Sequence, residues 1–74
     1  MKKFTVVANS TIMDAEVRCR DLEEATAIYF AFKESGSYSN VYIMSNETGE
    51  IYRRYHQSLE CGGIEIAEWN KLDL

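Results

Sequence analysis

The 74-residue chain has no proline and only four glycines. No strand or helix is interrupted by a ring that fixes φ and removes an N–H donor. Punctuation falls instead to Gly36, Gly49 and the Gly62-Gly63 pair. Long apolar runs are also missing. The stretch from Phe4 to Ala8 is far shorter than the roughly 18 apolar residues of a membrane span. No small-residue cleavage site follows it, as a secretory signal would require. A cytoplasmic chain is therefore expected, with Cys19 and Cys61 as free thiols and the patterns Asn9-Ser10-Thr11 and Asn46-Glu47-Thr48 as chance matches to a glycosylation signal.

Metal-ligand chemistry is sparse as well. Two cysteines and one histidine, with no Cys-x-x-Cys, fall short of the four N or S ligands of a structural zinc site. No glycine-rich phosphate loop or dinucleotide fingerprint occurs, and no spacing singles out an acid–base pair of carboxylates. No cofactor is expected. Positive charge is the minority: eight Lys+Arg against twelve Asp+Glu leave a net charge of −4. That imbalance is too mild to read as a mimic of nucleic acid, since most acidic surfaces are simply solvated.

What the chain does have is apolar substance. Hydrophobic residues make up 46% and include five Tyr, three Phe and one Trp, so wholesale disorder is excluded. Ordering so short a chain costs roughly 1.5 kcal/mol per residue, nearly all of the available hydrophobic gain. A dense aromatic core, aided by self-association, is the expected remedy. A single domain over 1–74 leaves no room for a large enclosed substrate cavity.

Local patterns give the element order. Residues 3–9 suit a strand, and 14–20 alternate, with Ala15, Val17 and Cys19 facing one way and Glu16, Arg18 and Arg20 the other. Asp21 with Glu24 three residues later resembles a capping box. Leu22, Ala25, Ile28, Tyr29 and Phe32 then share a helical stripe that Gly36 can end. Phe30 lies off that stripe, and Trp69 is expected to cover it.

Residues 38–46 and 50–57 form a second hairpin around Asn46-Glu47-Thr48-Gly49. A type I turn with a left-handed glycine would pair Asn46 with Glu50, Met44 with Tyr52 and Tyr42 with Arg54. Val41, Ile43 and Ile51 would then face the helix, with Arg53 and Tyr55 on the same side by parity. The C-terminal segment 58–74 is compatible with a helical turn or, as preferred here, a fifth short strand, with Trp69 and Leu72 docked on the domain. The fold class is α+β: a single antiparallel-rich sheet in ββαββ order with one helix on one face.

One helix cannot cover both faces of such a sheet, and this is the step that leads to function. The open face is expected to present Tyr42, Met44, Tyr52, Arg54 and His56, with Arg18 and Arg20 from the second strand. Tyr, Met and Arg are enriched at interfaces and hot spots. The expectation is a non-catalytic regulatory or inhibitory domain that binds a protein partner or a second copy of itself. Small acidic chains of this kind are common among bacterial and phage accessory proteins. The alternative is single-stranded nucleic-acid binding by Tyr52-Arg53-Arg54-Tyr55-His56, which interleaves aromatic and basic residues. A third reading, a thiol enzyme using Cys61 and His56, lacks a third residue to orient the base.

Overall fold

The computed structural model describes residues 1–60 and 63–71. Its elements are β1 (Phe4–Asn9), β2 (Asp14–Cys19), α1 (Leu22–Ser35), β3 (Asn40–Ser45), β4 (Ile51–Glu60) and β5 (Gly63–Asn70). The five strands make one sheet in the order β2-β1-β3-β4-β5, and every neighbouring pair is antiparallel. Within the C-terminal segment, 58–60 extend β4 and Gly63–Asn70 form the fifth strand of the preferred reading. No helix among the described residues is long and apolar enough to cross a membrane.

The local signals act where the sequence places them. The Asp21 carboxylate accepts from the Glu24 N–H at 2.8 Å, and Gly36 ends α1 at φ 74°. Glu23 and Glu24 occupy the first turn and Lys33 the last, complementing the helix dipole. Between β1 and β2, the Ser10 side chain closes the turn: Oγ accepts from the Met13 N–H and donates to the Met13 carbonyl, both at 2.9 Å.

The core lies between α1 and the β2-β1-β3 part of the sheet. Val6, Ala8, Cys19, Ala25, Tyr29, Val41, Ile43 and Tyr55 are buried there. Leu22, Ile28 and Phe32 pack around them from the helix, as the stripe predicted. Burial, with Glu24 and Asp21 nearby, pushes the Cys19 thiol up, against the opposing pull of Lys2. Cys19 is a protonated core residue rather than a nucleophile.

The second hairpin departs from the expected register in an instructive way. Its loop is one residue longer. The Ser45 N–H donates to the Glu50 carbonyl at 2.8 Å, and the Gly49 N–H donates to the Ser45 carbonyl at 2.9 Å, with Gly49 at φ 78°. Ser45, not Asn46, therefore faces Glu50, and Met44 pairs with Ile51, not Tyr52. A β-bulge between Ile43 and Met44 absorbs the extra residue, and Ile43 pairs with Arg53 and Tyr42 with Arg54. Two one-residue shifts cancel, so the pairs beyond the bulge are those that the sequence pattern predicts.

Candidate functional site

The bulge reassigns two side chains. Tyr52 packs edge-on against Phe4, ring centroids 5.5 Å apart, and joins the apolar cluster on the helix side. Ile51, expected under the helix, faces Met44 instead. Tyr52 therefore leaves the open-face set to which parity assigned it. A bulge places two residues opposite one and breaks strict alternation along the strand.

The remaining candidates divide cleanly. Tyr42, Met44, Arg54 and His56 share the face turned away from α1. Registers across the sheet line up Glu16, Val7, Tyr42, Arg54 and Trp69 in one row that crosses all five strands. Arg18 sits opposite Thr5 on that face, and Met44 lies beyond Thr5. Thr5 is buried at the foot of the groove between them, its hydroxyl donating to Asn46 Oδ1 at 2.6 Å. Arg20 falls just past the end of β2 and belongs to the turn before α1 rather than to the row.

Trp69 is a third residue that stands elsewhere than the sequence pattern suggests. It was expected to cover Phe30, but it stands opposite Arg54 on the open face, 47% exposed. Phe30 is covered by cations instead. The Arg53 guanidinium lies 4.6 Å from its ring centre and 5.2 Å from that of Tyr29, a cation–π arrangement, and Lys33 Nζ lies 5.6 Å from Phe30. The alternation of β5 carried the signal: Glu68 and Trp69 are adjacent, so only one of them can meet the helix.

Glu68 is that one. It accepts from the Tyr29 hydroxyl at 2.6 Å and from Lys33 Nζ at 2.7 and 2.8 Å, with Arg53 Nε 3.9 Å away. Burial pushes its carboxyl up, but hydrogen bonds from Lys33 and Tyr29 and the charges of Lys33 and Arg53 outweigh this and hold it below the usual range. Burial and the hydrogen bond to Glu68 together push the Tyr29 hydroxyl well above its ordinary value. This cluster is a clamp that ties β5 to α1, and its groups are engaged with one another.

On the open side, Arg54, His56, Ala67, Glu68 and Trp69 line a depression of about 280 Å³. Ala67 lies opposite His56 and forms the low point of the β5 rim. Arg54 Nε reaches Asn40 Oδ1 only at 3.4 Å. Among the described residues, no three His, Cys, Asp or Glu side chains converge to hold a metal. Cys61 lies outside the described residues.

The interleaved run at 52–56 is not one surface. Tyr52 and Tyr55 pack in or against the core, Arg53 covers the helix aromatics, and only Arg54 and His56 are exposed. No protein-family model, curated protein or solved structure matches the chain.

Proposed function

We propose that the protein is a small non-catalytic interaction domain, regulatory or inhibitory in role, that binds a protein partner through the open face of its sheet. The observation that carries this reading is the row Tyr42–Arg54–Trp69 across β3, β4 and β5. Tyr, Trp and Arg are the residue types that supply most hot-spot energy, because each combines large contact area with a polar group at its tip. Here they adjoin one another on hydrogen-bonded strands, on a face the helix leaves uncovered. Met44 and the flanking Val7 extend the apolar surface on one side of the row, and Arg18 and His56 provide polar flanks.

The test is capture from host lysate by the wild-type chain beside Tyr42→Ala and the triple variant Tyr42→Ala/Arg54→Ala/Trp69→Ala, with and without nuclease. Loss of a hot-spot anchor costs about 2 kcal/mol or more, so capture should fall sharply in Tyr42→Ala and vanish in the triple variant. Both variants should keep the wild-type circular dichroism spectrum. Undiminished capture by the folded triple variant would place the binding surface elsewhere. Capture that disappears with nuclease would shift the reading to single-stranded nucleic acid.

A further inference from the structure

We infer that the outer edge of β5 is a self-association site, where two copies join antiparallel to form one ten-stranded sheet with both helices on the same side. The sheet's two edges differ in how they are guarded. β2 is six residues long, and it exposes Asp14, Glu16 and Arg18, the charged pattern by which edge strands discourage pairing. β5 is eight residues long, without lysine or proline. Its large apolar side chains lie open beside the carboxylates Glu65 and Glu68: Ile64 and Ile66 are 62% and 61% exposed, and Trp69 is 47% exposed. Among the described residues no strand lies beyond it in the sheet.

The occupant follows from the strand's own pattern. Two antiparallel copies related by a two-fold axis must pair residues of the same parity, because each face of the joined sheet stays continuous. With Ile66 on the axis, segment 63–69 pairs over its whole length. On the helix side Ile66 meets Ile66 of the partner subunit, and each Ile64 lies opposite a Glu68 that is already clamped to its own helix. On the open side each Trp69 crosses a Gly63, a pairing in which the ring covers bare backbone, and each Glu65 lies opposite an Ala67. No glutamate faces a glutamate. Shifting the axis to residue 65 would place two Glu65 carboxylates against each other, a destabilising like-charge pair.

The same register matches charge to shape. Strands lie about 4.8 Å apart, so Glu65 of the partner subunit sits about 10 Å from His56 across Ala67. The side chain between them is a single methyl, and the depression there is flanked by Arg54 and His56. A partner carboxylate would lie over an apolar floor between two basic groups. One strand edge and three side chains bury less than the about 800 Å² per partner of a standard interface. The dimer is accordingly concentration-dependent.

Sedimentation of this chain alone tests the site independently of any other protein. The mean mass should rise from 8.5 kDa toward twice that value over about 1–500 μM. Glu65→Arg and Arg54→Glu should each weaken the dimer about tenfold or more, and the double variant should restore it to within about threefold of wild type. Tyr42→Ala, two strands from the edge, should leave it unchanged. In a Cys61→Ser background, Ile66→Cys should cross-link to itself under oxidised glutathione, whereas Ile64→Cys should not, because the axis passes through residue 66. A mass fixed at 8.5 kDa throughout, failure of the double variant to recover, or equal cross-linking at 64 and 66 would overturn the proposal.

Discussion

The β2-β1-β3 side of the sheet and the β4–β5 hairpin are both antiparallel strands of alternating residues, yet they are held in different ways. On the first side, α1 presses directly on the strands, and Val6, Ala8, Val41 and Ile43 are at most 1% exposed. Over the hairpin the helix body gives way to individual long side chains: Tyr29 and Lys33 reaching Glu68, and Arg53 lying across Phe30. Beyond Glu68, Ile66 and Ile64 are uncovered. The first half is stabilised by burial, which is non-directional and cumulative. The second half adds Tyr52 and Tyr55 to that apolar cluster, but its outer strand is tied to the helix by a few polar contacts, which are directional and can be lost one at a time. The region with the less redundant support is also the one that presents Arg54, His56 and Trp69.

The strongest way to break the comparison is through the core. Tyr29→Ala removes a ring buried under the helix together with the donor to Glu68, and should cost about 3–5 kcal/mol. A domain this small should then lose its cooperative thermal transition. If Tyr29→Ala melts like wild type, the core does not carry the fold.

Next comes the clamp alone. Glu68→Gln keeps the shape but removes the charge that Lys33 and Tyr29 address, and should cost about 1–2 kcal/mol. The effect should be local, with hydrogen-exchange protection falling in β5 and little changed in β1 and β3. The pH dependence follows from the same group. Its folded-state pKa lies below the ordinary value of 4.5, so its contribution is fully present above that value and is lost as pH falls through the folded pKa. Protection in β5 should therefore fade on acidification earlier than in β1, and Glu68→Gln should flatten that difference. Equal fading in both strands would mean that the clamp does not distinguish the two halves.

The smallest expected effect is at the helix start. Asp21→Ala removes an N-cap remote from the hairpin and should cost about 1 kcal/mol, seen as a lowered midpoint in urea with an unchanged slope. Exchange in β5 relative to the core should stay as in wild type, since the clamp is intact.

These two halves also differ in how readily the sequence reveals them. Asp21, Glu24 and Gly36 act through bonds within a few residues, so their roles are visible in one dimension. The alternation of Ala15, Val17 and Cys19 is equally plain, because β2 has no irregularity. The hairpin was harder. The loop from Asn46 to Gly49 supports two registers that differ by one residue, and only the bulge shows which one the sheet adopts. That decision moved Tyr52 from the open face to Phe4 and turned Ile51 away from the core. Trp69 was misplaced for a related reason: once the tail is a strand, the position of Glu68 beneath Tyr29 and Lys33 sends its neighbour to the other face. Tyr42, Met44, Arg54 and His56 kept their face because the turn and the bulge offset each other.

What the sequence by itself determined is the ββαββ order, the helix boundaries and the existence of an uncovered sheet face. Each rests on short-range hydrogen bonding or on a periodicity that any strand or helix imposes. What only the tertiary structure decided is which residues meet across strands: Glu68 with Tyr29 and Lys33, Arg53 with Phe30, Trp69 with Arg54. Those pairings join positions far apart in the chain, and a one-residue change of register reverses the face of every side chain beyond it. Local preference has no means of choosing between such registers; the packing of the sheet against its single helix does.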